Sequence, residues 1–557
     1  MADTVPVVNV TEKATSDLWW KNAVVYCVDV ASFMDGNGDG IGDLPGLTSR
    51  LDYLAELGVS CLWLLPVHPS TGVDGGYDVT DYYAIDPRYG TLGDFVEMVR
   101  TAREVGIRVV LDMVLNHTSN QHPWFRAAGD RESPFHDYYV WADEPPDDEP
   151  PETFPGEQDG TWSKDDRCGR WYLHHYYSEM PDLNIANERV RDEMNKVMGF
   201  WLELGVSGFR IDSAPFLIET FDSALRRDHG YLKHFRSFLS RRRGDVALMG
   251  EANVAPEEQV RYFGDGAIGD EMQLLFDFAV CAGLWTALWE GTAEPLRAAL
   301  AARPGHPEAC QYINFARHHD ELSFEPADPD TRRRMLERWP AEDRVYGRGL
   351  RRRLAPLLDG DQRRIRLALS LTLGLPGTPM LLYGDEIGMG DQLDLPDRNA
   401  VRVPMQWTSG RHGGFTTADR PWRNVEPDGP YGYRRVNARD QQRDSDSLLS
   451  WTRLAIRTRR SCPELGWGDW QTLDTGDPAV LAHRCTWRTG TVLLLHNLSD
   501  QDTTAQLPAA AIPADADLDE ILADHPYPAP TGTELPLAPF GYRWLRANHS
   551  HHLAGTL

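Results

Sequence analysis

The sequence predicts an α/β fold: a (β/α)8 barrel with a lid subdomain inserted after its third strand and an antiparallel β domain at its C-terminal end. Three observations lead there. Short apolar runs rich in β-branched residues recur with helical patterns between several of them, as buried parallel strands alternating with helices do. A long aromatic-rich stretch interrupts that alternation after the third run. Beyond about residue 458, helical periodicity gives way to alternating and Pro-punctuated segments.

The runs, in order, are Ala23–Val30, Cys61–Pro66, Val109–Leu115, Gly208–Asp212 and Ala247–Gly250, with weaker ones at Gln273–Phe278, Tyr312–Phe315 and Pro379–Tyr383. That is the strand count of a closed βα barrel. Leu47–Leu57 and Phe95–Val105 read as helices, the second opened by Thr91-Leu-Gly-Asp94 in the manner of a capping box. The domains expected are a barrel over 1–117 and 182–458, a lid over 118–181, and a C-terminal β-sandwich over 459–557. A stretch as long as 118–181 is more often a subdomain than a structureless loop. Trp467, Trp470 and Trp487 lie in the last domain, where alternation favours core packing over a glucan-binding role.

With 557 residues, 41% hydrophobic and 25% charged, the chain has an ordinary composition for two or three globular domains. Its net charge of −28 excludes nucleic acid and anionic membranes as main partners, since a phosphate backbone needs a positive surface. A neutral small molecule fits better, and a homo-oligomer stays open. The Arg-rich stretch from Arg332 to Arg366 is interspersed with Leu and Asp and reads as a solvated or salt-bridged helix face. Seven cysteines without CxxC spacing are expected as reduced, buried thiols. The chain carries neither a signal-like start nor an apolar run approaching the length of a membrane span, so a cytoplasmic location is expected.

Polar residues cluster where four strands end: Leu111-Asp-Met-Val-Leu-Asn-His117, Gly208-Phe-Arg-Ile-Asp-Ser213, Met249-Gly-Glu251 and Arg317-His-His-Asp-Glu321. A barrel carries its chemistry at that end. Cleaving an acetal with retention needs an ionised carboxylate below the anomeric carbon and a protonated carboxyl beside the leaving oxygen, about 5–5.5 Å apart. Asp212 and Glu251, on adjacent strands, suit these roles. Arg210 alternates with Asp212 and faces the same way, while burial among like charges would keep Glu251 protonated.

Asp35-Gly-Asn-Gly-Asp-Gly-Ile-Gly-Asp43 places oxygens at alternate positions around a Gly-dense turn, as a calcium loop does, although Gly46 stands where an EF-hand needs Glu. Asp35, Asn37, Asp39, Asp43 and the Ile41 carbonyl would ligate a structural Ca2+ or Mg2+. No organic cofactor is expected.

These four segments resemble the signature regions of the α-amylase superfamily, glycoside hydrolase family 13, from about Trp20 to Gly541. Within it the chain looks most like the trehalose synthases, then the oligo-α-glucosidases. The stretches that carry this likeness are Gly349-Leu-Arg-Arg-Arg-Leu-Ala-Pro-Leu-Leu-Asp359, Leu375-Pro-Gly-Thr-Pro379, Tyr383-Gly-Asp-Glu-Ile-Gly-Met389 and Val401-Arg-Val-Pro-Met-Gln-Trp407. The resemblance implies Asp212 as nucleophile, Glu251 as acid/base and Asp320 as third carboxylate. It implies His117, His319 and Arg210 as ligands of the first glucose, Tyr77 as its platform, and Asp78 with Arg402 as a pair closing the non-reducing end. Asn253, Glu321 and Glu325 match positions that help close the site, and Asn116, Asp182 and Glu219 match a second metal site. Maltose would be isomerised to trehalose through a glucosyl-Asp212 intermediate. The alternatives are an exo-acting α-glucosidase or oligo-1,6-glucosidase and, from another class, a non-catalytic amylase-like binding protein. The chain departs from trehalose synthases at Phe216 (for Tyr), Glu179-Met180 (for His-Gln), His318 (for Asn) and Gly75 (for Asp), and the segment after Glu219 looks shortened.

Overall fold

The computed structural model describes residues 15–147, 149–221, 225–513, 516–530 and 532–549; the outermost parts of the first and last expected domains, 1–14 and 550–557, lie outside the described residues, as does 222–224 in the short segment after Glu219. Eight parallel strands close a barrel: β1 (Val25–Val28), β2 (Cys61–Leu64), β3 (Arg108–Met113), β4 (Gly208–Ile211), β5 (Ala247–Gly250), β6 (Leu274–Phe276), β7 (Gln311–Phe315) and β8 (Thr378–Leu382). β8 returns to β1 with Met380 opposite Val25. Apart from Arg108, every residue of these strands is buried, because helices cover the outside and side chains fill the inside. That is why they read as continuous apolar runs.

The helix expected over Leu47–Leu57 is two, Leu44–Thr48 and Leu51–Leu57. Asp43 caps the first by accepting from the Gly46 amide, and Gly58, at φ +98°, ends the second. Helix Leu92–Glu104 opens with the capping box, Thr91 and Asp94 exchanging side-chain and backbone hydrogen bonds.

The insertion forms a small lid with a three-stranded antiparallel sheet, Trp141–Ala142, Arg170–Leu173 and Trp162–Asp165. Isolated bridges, His117 to Asp182 and Tyr139 to Leu183, tie its two ends onto the barrel. Phe154 stacks on Tyr346 at 4.3 Å, joining the lid to the loop that follows β7. The C-terminal domain has a five-stranded antiparallel sheet of β9 (Asp469–Leu473), β10 (Val480–Trp487), β11 (Gly490–Asn497), β12 (Ala516–Ala523) and β13 (Tyr542–His549), and a second sheet of Thr503–Gln506 with Glu534–Leu537. It docks on helix Gln362–Gly374, where a Cβ at Gly374 would lie 2.6 Å from Leu494. Close approach therefore requires glycine there.

Two sequence expectations are corrected. Arg332–Arg366 is not one helix face: helix Pro329–Glu337 is followed by two short strands, and Arg353 is fully buried, donating to the carbonyls of Val401 and Tyr383. Trp467, Trp470 and Trp487 are only half-buried, and of the three Trp470 packs against the main core. The cysteines are all free, and only Cys168 is not buried. Among the described residues, no helix is long and apolar enough to cross a membrane.

Candidate active site

The C-terminal ends of the strands bring together the three predicted carboxylates. Arg210, two residues before Asp212 on β4, is the hub: its Nη1 lies 2.6 Å from Asp212 and 3.0 Å from Asp112, and its Nη2 reaches Glu251. One guanidinium thus spans the ends of β3, β4 and β5 and fixes both candidate catalytic carboxyls. Ser213, at φ +51°, donates its hydroxyl to Asp212 Oδ2 at 2.8 Å and hydrogen-bonds the lid residue Tyr176. A non-glycine residue in the left-handed region here is strain the surrounding contacts hold in place.

Burial pushes the Glu251 carboxyl up; Arg210 opposes this and Asp212 and Asp320 add to it, leaving it at about 7. A carboxyl so poised can give up and take back a proton near neutrality. For Asp320 burial also acts upward, but Arg398, His319 and Arg402 outweigh it and hold it well below the usual carboxylate range. Arg402 approaches it at 2.8 Å and Arg398 at 3.2 Å. Tyr77 stacks on His319, and its hydroxyl lies 2.7 Å from His319 Nε2 and donates to Asp112 at 2.9 Å. His117 is buried, with Tyr176 edge-on at 5.2 Å.

The closing residues form one chain. Asn253 Nδ2 donates to Glu325 at 3.0 Å, Arg348 lies between Glu325 (3.8 Å) and Glu321 (2.8 Å), and Arg398 ties Glu321 (2.9 Å) to Asp320. Arg398 also rests over the rings of Phe154 and Tyr346, so the chain ends against the lid. A cavity of about 290 Å3, lined by Asp74, Tyr177, Tyr346, Arg398 and Arg402, opens beside it.

The expected pair of Asp78 and Arg402 does not form. Asp78 is fully buried and accepts from Thr71 and Gly72, whereas Arg402 is drawn to Asp320. Gly75 accompanies this: at φ +58° its Cβ would lie 2.2 Å from Arg402 Nη1, so a side chain there would displace the arginine. Asp74, Asp112, His175, Tyr176, Arg348 and Arg398 were missed in the sequence. Asp112 stood inside a quoted segment, and the others sit in loops with no periodicity to mark them.

A scan of family models matches the α-amylase catalytic domain over residues 28–288 and 350–468. The chain belongs to the α-amylase family. It is an enzyme of the glucosyltransferase and glycosidase kind. It is 42% identical over 494 residues to the trehalose synthase/amylase TreS of Mycobacterium tuberculosis, covering 86% of this chain and 82% of that one. It is equally 42% identical over 483 residues to a trehalose synthase of Pimelobacter sp., covering 84% of each. Among solved structures, an α-amylase from H. orenii superposes with a TM-score of 0.77 at 28% identity, over 95% of this chain and 100% of that one.

The two loops expected to hold metals differ. In Asp35–Asp43 the donors are all oxygens: Asp35 accepts from the Gly38 and Gly40 amides, Asp43 from Gly36, Asn37 and Gly46. Burial raises the Asp43 carboxyl against those amides, and Asp35 adds like charge, so the donor set suits a hard cation. The second set does not fit one. His175 sits between Asp182, through Nδ1, and Glu219, 3.2 Å from Nε2, while Asn116 Nδ2 turns to His117. Burial alone would lower the His175 pKa, but the two carboxylates lift it to about 9, so an imidazolium supplies the charge a metal would. Phe216 stacks on that ring at 4.1 Å.

Proposed function

We propose that the chain interconverts maltose and trehalose through a glucosyl-Asp212 intermediate. The observation that carries this is the single guanidinium of Arg210 bridging Asp212 and Glu251 beneath a lid latched to Asp320. Asp212, held by Arg210 and Ser213, attacks the anomeric carbon. Glu251, protonated below about pH 7, gives its proton to the departing oxygen and recovers it from the incoming hydroxyl. Asp320 stays anionic and steadies the oxocarbenium-like transition state, and His117, His319 and Tyr77 line the glucose seat. The Asn253-Glu325-Arg348-Glu321-Arg398 chain keeps the released glucose in place long enough to turn and attack through its 1-hydroxyl. In this reading Asp35, Asn37, Asp39, Asp43 and the Ile41 carbonyl hold a structural Ca2+ or Mg2+ that stiffens the loop after β1 and takes no part in the chemistry.

The test is to incubate the protein separately with maltose and trehalose and follow both by proton NMR. Interconversion with minor free glucose is expected, and Asp212→Asn should abolish it without changing the fold. Glucose as the sole product would replace isomerase with α-glucosidase. An active Asp212→Asn protein would overturn the mechanism.

A further inference from the structure

We propose that the Tyr176 and Ser213 hydroxyls form a one-way relay through which the seated lid sets how readily Asp212 releases the glucosyl group; this rests on the glucosyl-Asp212 reading above. Ser213 stands at the N-cap of the short helix Ala214–Leu217, where a serine oxygen usually accepts from a backbone amide, yet its side chain makes no such bond. Its backbone, at φ +51°, turns the hydroxyl toward the nucleophile instead. Ser213 Oγ donates to Asp212 Oδ2 at 2.8 Å, while Arg210 holds Oδ1 at 2.6 Å. Both carboxylate oxygens thus face a donor, one fixed on the barrel and one in contact with the lid.

Proton counting gives the relay its direction. The Ser213 hydroxyl has one proton and spends it on Asp212, so the Tyr176 phenol, protonated at neutral pH, donates to Ser213 Oγ. The lid fixes where that phenol lies. The Tyr176 carbonyl accepts from Gln158 Nε2 and from His174 Nδ1 at 2.8 Å, and its ring meets Phe154 at 5.4 Å and His117 at 5.2 Å. Tyr176 is therefore a positioning residue, and Ser213, which touches the reacting carboxylate, a catalytic one. A hydrogen bond to an ionised carboxylate is about twice as strong as one to a neutral acceptor. When Asp212 bonds to the anomeric carbon, its charge is lost and the Ser213 bond weakens. When that C–O bond breaks, its electron pair returns to the carboxylate. The incoming hydroxyl oxygen bonds to the anomeric carbon, its proton passes to Glu251, and the Ser213 bond regains its strength. Ser213 thus retards transfer onto Asp212 and hastens transfer off it. Because Tyr176 aligns the Ser213 proton, release is fastest with the lid seated, when the enclosed sugar hydroxyl rather than bulk water is the acceptor.

The test is rapid quenching of the full chain during turnover of α-glucosyl fluoride, with intact-protein mass spectrometry reading the ratio of glucosylated to free protein. Ser213→Ala should raise that ratio about tenfold, and Ser213→Gly, which also frees the backbone, should raise it equally. Tyr176→Phe keeps the ring against Phe154 and His117. Alone it should raise the ratio severalfold, and added to Ser213→Ala it should change nothing further. A Ser213→Ala ratio equal to that of the wild type would overturn the relay, as would a Tyr176→Phe effect of the same size with and without Ser213. So would a wild-type ratio in Ser213→Gly, because backbone strain would then carry the effect. Peptide mapping keeps the two levels apart: an adduct on Asp212 with unmoved ratios sinks the relay alone. An adduct on another residue, or none in any variant, sinks the glucosyl-Asp212 reading and the relay with it.

Discussion

Glu251 and Asp320 show how two carboxyls at one barrel end are driven in opposite directions. Asp320 is buried and has Arg398 and Arg402 against it, while the half-buried Glu251 shares Arg210 with Asp212 and Asp112. One cation spread over three carboxylates offsets burial less than the two cations set against Asp320, so of these two groups only Glu251 is left at about 7. Breaking the glycosidic bond needs the protonated form. The kcat/KM for maltose should therefore fall about tenfold per pH unit above about 7, and a flat profile to pH 9 would remove Glu251 from the role of acid. This much was legible in the sequence, because strand alternation fixes where Arg210 and Asp212 point. That Asp78 and Arg402 do not pair was not legible, because it depends on the conformation of the loop around Gly75, which no periodicity encodes.

The lid meets the latch loops through the rings of Phe154, Tyr176, Tyr177 and Tyr346. Phe154, on the lid, packs on Tyr346 and lies beneath Arg398, whose other end grips Asp320 and Glu321. Removing this ring leaves Arg398 paired but without its apolar backing. Phe154→Ala should raise the share of glucose among the products of maltose severalfold while sparing the barrel fold, as read by NMR product ratio and circular dichroism. An unchanged ratio would show that closure rests elsewhere. The insertion was visible in the sequence as length and aromatic content, but its contacts were not. Phe154 lies beside an acidic, Pro-rich stretch, and its partner Tyr346 lies far along the chain in a stretch of arginines that reads as a helix and is not one.

At the scale of the whole molecule, the barrel and its C-terminal domain are joined through a buried polar seam. The barrel strands were readable because both faces are buried and periodicity survives in the composition. The seam was not, because nothing in the local pattern around His483 and His496 says what these strands pack against. In the structure they are fully buried with their rings parallel, His483 Nε2 set against the Gly374 carbonyl at 3.1 Å and His496 Nε2 against the Ser370 hydroxyl at 3.0 Å. Burial lowers the His483 pKa to about 4, below the value of about 6.5 expected for the unfolded chain. Between those values the unfolded state binds the extra proton, so this residue's contribution is intact above about pH 6.5 and is lost as pH falls toward 4. At pH 5 the loss amounts to about 2 kcal/mol. A His483→Gln variant cannot be protonated there and should lose correspondingly less stability between pH 7 and pH 5 than the wild type, measured by denaturant unfolding at each pH. Buried carboxyls such as Asp385, raised to about 6, act with the opposite sign in the same window, so the informative quantity is the difference between the two proteins. Equal losses in both would mean that the histidine takes up its proton as readily in the folded seam as in the unfolded chain, and that its burial carries no pH-dependent cost.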